Sequence, residues 1–138
     1  MCHCKTYSIA ALLLMLATTL SAKETPQQSY DIFIPLGKYL AAGDEESLSA
    51  WFAPSLEMAV LGPRTNASSK QAKQILKTFF KSYTPRTFTI RHQAGREGLK
   101  YALGELIASG EHFTVTIFVS IPQGGSFQIQ QLRIDRQE

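Results

Sequence analysis

From Tyr30 onward apolar residues recur at intervals of three and four, with Ile32, Phe33, Leu36, Tyr39 and Leu40 on one stripe. That spacing predicts an amphipathic helix. Pro35 is compatible with its first turn alone, where a missing N–H goes unused. Gly43 supplies a C-terminal stop and Asp44 an N-cap. "DEESLSAWF" then predicts a second, short helix with acids in its first turn, packing Leu48, Trp51 and Phe52 and ended by Pro54. "SLEMAVL" alternates Leu56, Met58 and Val60 as a first strand, and "GPRTNASS" reads as a loop. "KQAKQILKTFFKSY" returns to helical periodicity. Ala72, Ile75, Leu76, Phe79, Phe80 and Tyr83 share one side, while Lys70, Lys73, Lys77 and Lys81 fall within an arc of about 80° on the other.

Beyond Thr84-Pro85 the period changes to two. "RTFTIRHQ" alternates Phe88, Ile90 and His92, and a turn at Gly95–Gly98 leads into "LKYALGELIA". After Ser109-Gly110, "HFTVTIFVSI" alternates Phe113, Val115, Ile117, Val119 and Ile121; "PQGGS" turns the chain and "FQIQQLRID" closes it. The order is helix, helix, strand, helix and four strands. It predicts an α+β domain with helices on one face of an antiparallel sheet.

The residues ahead of this pattern have a different character. Lys5 precedes an apolar run from Ile9 to Leu20, and Leu20-Ser21-Ala22 offers a small residue at a cut point. This is the layout of a signal peptide over residues 1–22, cleaved near Ala22; the run is short for a transmembrane helix, which needs roughly 20 apolar residues. Residues 23–29 form a flexible lead-in and 30–138 a single domain, exported to the periplasm or secreted. Cleavage removes Cys2 and Cys4, so the C-x-C with His3 is no metal site, and it leaves 116 of 138 residues without a cysteine. Formal net charge falls from +3 to +2, because Lys5 is the only charge removed. So mild an imbalance gives no reason to propose nucleic acid as a partner. No later run is long enough to span a membrane.

The stretches "YLAAGDEESLSAWF", "KQAKQILKTFFKSYTPRTFTIRH", "GLKYALGEL" and "FQIQQLRID" resemble, in order, a small family of exported bacterial domains of unknown function. That family lies in the nuclear-transport-factor-2-like (cystatin-like, SnoaL-like) superfamily. The resemblance implies a cone-shaped fold, a strongly curved antiparallel sheet wrapped round three helices of the N-terminal half, with a pocket between them. It also implies a homodimer through the outer sheet faces. It carries no reaction, because the superfamily holds isomerases, dehydratases and binding modules alike.

Candidate chemistry centres on His92, which by strand parity shares a face with Phe88 and Ile90. A two-residue turn at Arg96-Glu97 sets His92 opposite Tyr101, and the Ser109-Gly110 turn sets Glu105 opposite Thr114. One face then carries His92, Tyr101, Glu105, Thr114 and Thr116 as pocket candidates, with Gln131 of the closing strand as a further hydrogen-bonder. A His and a carboxylate there suit general base and polar anchor; a one-residue slip would separate them. The plain alternative is that His92 and Glu105 are structural or face solvent. The Asp or Asp–His pair typical of the superfamily's enzymes is missing, which leaves Glu57 or Glu105 for catalysis. The lysine stripe is a surface-binding candidate for an anionic envelope polymer or an acidic partner, against the plain reading of a solvated face. No metal-ligand spacing, phosphate loop or nucleophile motif occurs, so neither metal nor cofactor is expected and no catalytic residue is assigned. The expectation that follows is a non-catalytic domain binding a small apolar ligand or an envelope protein partner. The alternatives are an isomerase, dehydratase or hydrolase using the pocket His and Glu, and an envelope interaction protein using the lysine helix.

Overall fold

In a computed structural model of the protein, residues 31–122 and 125–137 are described. The expected signal peptide, its cleavage point, the lead-in at 23–29 and part of the "PQGGS" turn lie outside them. The first helix, α1 (Phe33–Ala42), carries Pro35 in its first turn and buries Phe33, Leu36 and Leu40. Gly43 ends it at φ +68°, and the Asp44 N–H donates to the Tyr39 carbonyl at 2.9 Å. Only a residue without Cβ adopts that conformation at little cost. Asp44 then caps α2 (Glu45–Ser49), accepting from the Ser47 N–H at 3.0 Å and the Ser47 hydroxyl at 2.7 Å.

α2 is shorter than the pattern predicts. Trp51 lies in the turn after it, and Phe52 opens β1 (Phe52–Val60). Pro54 therefore sits inside a strand instead of ending a helix. It is tolerated because the pairing of β1 starts at Ser55 on one side and skips from Phe52 to Glu57 on the other, so no ladder bond needs its N–H. The expected loop "GPRTNASS" holds a strand, β2 (Thr65–Ser68), antiparallel to β1. β2 runs directly into α3 (Ser69–Ser82), where Ser68 and Gln71 form a reciprocal capping box. That exchange satisfies two otherwise orphaned backbone donors. β3 (Pro85–Arg96), β4 (Leu99–Ala108), β5 (Glu111–Ser120) and β6 (Gln128–Arg136) follow.

The six strands are ordered β2-β1-β6-β5-β4-β3 in a curved, open sheet. β3 to β6 form the expected antiparallel meander, but β1 lies parallel to β6, so the sheet is mixed and not wholly antiparallel. Strands so far apart in sequence share no hairpin that would impose an antiparallel pairing. One face of β4, β5 and β6 is buried against the helices through Ala102, Leu106, Val115, Ile117, Leu132 and Ile134. Leu76, Phe79 and Phe80 of α3 meet that face. The α+β expectation holds, with three helices in the N-terminal half and a curved sheet around their core.

Candidate functional site

α3 is divided lengthwise into three stripes, and the middle one shapes the site. Ala72, Leu76, Phe79 and Phe80 are buried and the lysines lie opposite; between them run Gln71, Gln74, Thr78 and Ser82, which fall within about 80° of one another on the helix. At this edge the sheet stops short, because β2 has only four residues. The uncharged flank of α3 is left uncovered, and a groove of about 610 Å³ opens between it and the β1–β2 hairpin. Val60, Leu61, Ala67, Ile75, Phe79 and Tyr83 line it with apolar surface, and Thr65, Asn66, Gln71, Gln74, Thr78 and Ser82 supply amides and hydroxyls. None of these twelve residues carries a formal charge at neutral pH. An apolar concavity with a few uncharged hydrogen-bonders is the usual composition of a small-molecule site.

Two of the groove's walls are fixed by contacts outside it. Leu61 has φ +56° and donates its N–H to the Ile134 carbonyl at 2.9 Å; a left-handed leucine costs on the order of 1–2 kcal/mol. The Tyr83 ring packs against Phe79 and Phe113 with centroids 5.2 and 5.1 Å away. Arg136 lies over Tyr83 and Phe113, donates to the Tyr83 hydroxyl at 2.8 Å and pairs with Glu111. The hydrogen bond to Tyr83, then the charge of Glu111, hold its guanidinium above the usual arginine range.

None of the sequence-derived pocket candidates lines this groove. Tyr101, Glu105, Thr114 and Thr116 do share a face, and Glu105 pairs with Thr114 as the turn at Ser109-Gly110 implies. It is the outer face, opposite the buried Ala102, Leu106, Val115 and Ile117. His92 pairs with Leu103 and not with Tyr101, because the β3–β4 turn is Glu97-Gly98, with Arg96 paired to Leu99. A bulge between Ile90 and His92 also sends His92 to the face opposite Ile90, correcting its expected alignment with Phe88 and Ile90. An extra residue in one strand inverts the alternation beyond it. Outside, the His92 ring lies 5.7 Å from Tyr101, which stacks on Phe118 at 5.3 Å. Gln131 pairs with Phe118 and borders a smaller outer concavity of about 380 Å³.

His92 and Glu105 are not partners. Glu105 accepts instead from His112 Nδ1 at 2.5 Å and from Arg91, with 15% of its side chain exposed. The His112 bond first, then Arg91, hold its carboxyl below the usual range, which makes it a weaker base. Glu57 is likewise paired, with Arg64 at 3.5 Å. Because the folded state depresses the Glu105 pKa, its stabilisation is complete above the carboxyl's unfolded value and is lost as pH falls through the folded one. Urea midpoints followed from neutral into acid pH should therefore drop less steeply in Glu105→Gln than in wild type; superimposable slopes would refute the linkage.

Lys73 pairs with Glu46 of α2. Lys70, Lys77 and Lys81 are exposed and make no ion pair among the described residues. Among the described residues no group of three or more His, Cys, Asp or Glu side chains is placed to hold a metal, and no helix is long and apolar enough to cross a membrane. The groove residues escape a sequence reading that sorts α3 into core and charge alone. Their one signal is that Gln71, Gln74, Thr78 and Ser82 leave a whole flank of a lysine-rich helix uncharged.

The model of a domain of unknown function, DUF4783, matches residues 35–135. Among solved structures, a DUF4783 family protein from Bacteroides ovatus ATCC 8483 superposes with a TM-score of 0.73 at 22% identity, over 81% of this chain and 99% of that one. An NTF2-like designed protein gives a TM-score of 0.61 at 19% identity, over 75% and 92%. An uncharacterized protein with a cystatin-like fold from Silicibacter pomeroyi DSS-3 gives 0.57 at 13% identity, over 77% and 73%. These likenesses place the fold among NTF2-like and cystatin-like domains. A search of curated proteins finds no match.

Proposed function

The chain belongs to the DUF4783 family, and on that premise we propose that it is a non-catalytic binding domain, exported after removal of residues 1–22, whose ligand lies in the groove between α3 and the β1–β2 hairpin. The observation that carries this reading is the groove's lining among the described residues: twelve side chains, an apolar floor and no charge. Acid–base catalysis needs a titratable group within reach of the reacting atoms and poised near the working pH. Among the described residues the groove's one titratable side chain is Tyr83, whose hydroxyl accepts from Arg136. The carboxylates considered for catalysis, Glu57 and Glu105, are held by arginines elsewhere. The leader-like residues 1–22 support export.

The test uses a neutral apolar fluorophore, N-phenylnaphthylamine. Wild type binds it saturably with enhanced emission. Thr78→Trp places a ring across an exposed groove position; it weakens binding by at least about tenfold, near 1.4 kcal/mol, without moving the urea midpoint. Equal affinity of the two proteins would refute the assignment.

A further inference from the structure

We propose that the groove selects an amphiphile with an apolar tail and an anionic head group, the head being held by Lys77 and Lys81 within a positive rim that Lys70 extends; this rests on the groove being the ligand site. Gln74 and Thr78 line the groove. Lys70 and Lys77 stand four and three residues from Gln74, and Lys81 stands three from Thr78. Residues at those separations are neighbours on a helix surface, so the three lysines form a rim along the groove's α3 wall. All three are exposed and, among the described residues, without an ion pair. Lys73, on the far side of the stripe, is engaged by Glu46.

The α3 wall therefore grades from apolar Ile75 and Phe79, through amides and hydroxyls, to uncompensated positive charge. Among the described residues no carboxylate lines the groove to oppose an incoming anion. A neutral ligand would leave the rim unused, and a cationic one would be repelled by it. A carboxylate, phosphate or sulfate on an aliphatic tail satisfies rim and floor together. Lys77 and Lys81 stand one turn apart and can share one head group, while Lys70, roughly 16 Å from Lys81 along the axis, adds positive potential; exposed pairs are individually weak, and two on one head group give about tenfold preference.

The experiment measures displacement of N-phenylnaphthylamine by dodecanoate, dodecanol and dodecyltrimethylammonium, each below its micelle concentration. Wild type should bind dodecanoate about tenfold tighter than dodecanol, with the cationic amphiphile weakest. The Lys70→Gln/Lys77→Gln/Lys81→Gln variant should bind dodecanoate and dodecanol alike, and Lys73→Gln should keep the wild-type order. Should the triple variant unfold, Lys77→Gln alone should narrow the preference. Equal binding of dodecanoate and dodecanol by wild type, or a preference that survives in the folded triple variant, overturns the inference while leaving the groove a ligand site. If the protein sediments with phosphatidylglycerol vesicles yet takes up no monomeric dodecanoate, the lysines address a membrane surface and the inference is overturned. Failure of the fluorophore and all three amphiphiles to bind removes the ligand site itself.

Discussion

Phe113→Ala is expected to cost about 3–5 kcal/mol of unfolding free energy, the range for deleting a buried aromatic side chain. Phe113 is fully buried, edge-on to Phe79 at 5.2 Å and to Tyr83 at 5.1 Å, with Arg136 over its face at 5.6 Å. Its removal forfeits the transfer energy of a phenyl ring, leaves a cavity between α3 and β5, and undoes two aromatic pairs each worth about 0.5–1.5 kcal/mol beyond burial. Against a total stability of roughly 5–15 kcal/mol this is a large fraction. Phe113→Leu refills most of the volume and should cost much less. Phe79 and Tyr83 are also groove walls, so the same substitution should weaken N-phenylnaphthylamine binding although Phe113 itself does not line the groove. Urea unfolding with an unchanged m-value checks the first statement. A cost for Phe113→Ala under 1 kcal/mol would mean that the cluster is not a keystone of the α3–sheet packing.

Gly104→Ala is expected to destabilise by about 1–3 kcal/mol, the usual cost of overpacking, although alanine is ordinarily the better strand residue of the two by roughly 0.5–1 kcal/mol. A Cβ on Gly104 would lie 2.4 Å from Phe88 Cζ and 2.8 Å from the Thr89 carbonyl oxygen. The Phe88 ring fills the place of the missing side chain and reaches across to Gly37 of α1, where a Cβ would meet it at 3.2 Å. The aromatic covering of a strand glycine thus ties α1 to β3 and β4. In a Phe88→Leu background the ring clash is relieved and the backbone one remains, so Gly104→Ala should cost less there, without becoming neutral. An alanine as stable as wild type would show that the ring or strand shifts freely.

These two sites also show how far the sequence carries. α3 is legible because its apolar and lysine stripes are long and regular, and β4 and β5 because their alternation is strict and their turn at Ser109-Gly110 is sharp. Gly43 and Asp44 mark the boundary between α1 and α2 by local chemistry alone. β2 is not legible: Thr65, Asn66, Ala67 and Ser68 contain no apolar alternation, and they form a strand because β1 offers them an edge. The parallel pairing of β1 with β6 depends on contacts made over most of the domain's length. The bulge before His92 leaves no mark in composition, yet it turns the residues beyond it onto the opposite face. The register and face of His92 escape the sequence for these reasons together. The sequence directs attention to titratable residues on strands, whereas the concavity arises where a short strand leaves an uncharged helix flank uncovered.

The most direct test of the central claim is an amide chemical-shift map of the isotopically labelled protein titrated with N-phenylnaphthylamine. Saturable shifts clustered on Thr65 to Ala67 and on Gln71, Gln74, Ile75, Thr78 and Ser82 are the predicted result. Shifts centred instead on Tyr101, Thr116, Phe118 and Gln131 of the outer sheet face, or no saturable shift at all, would contradict it.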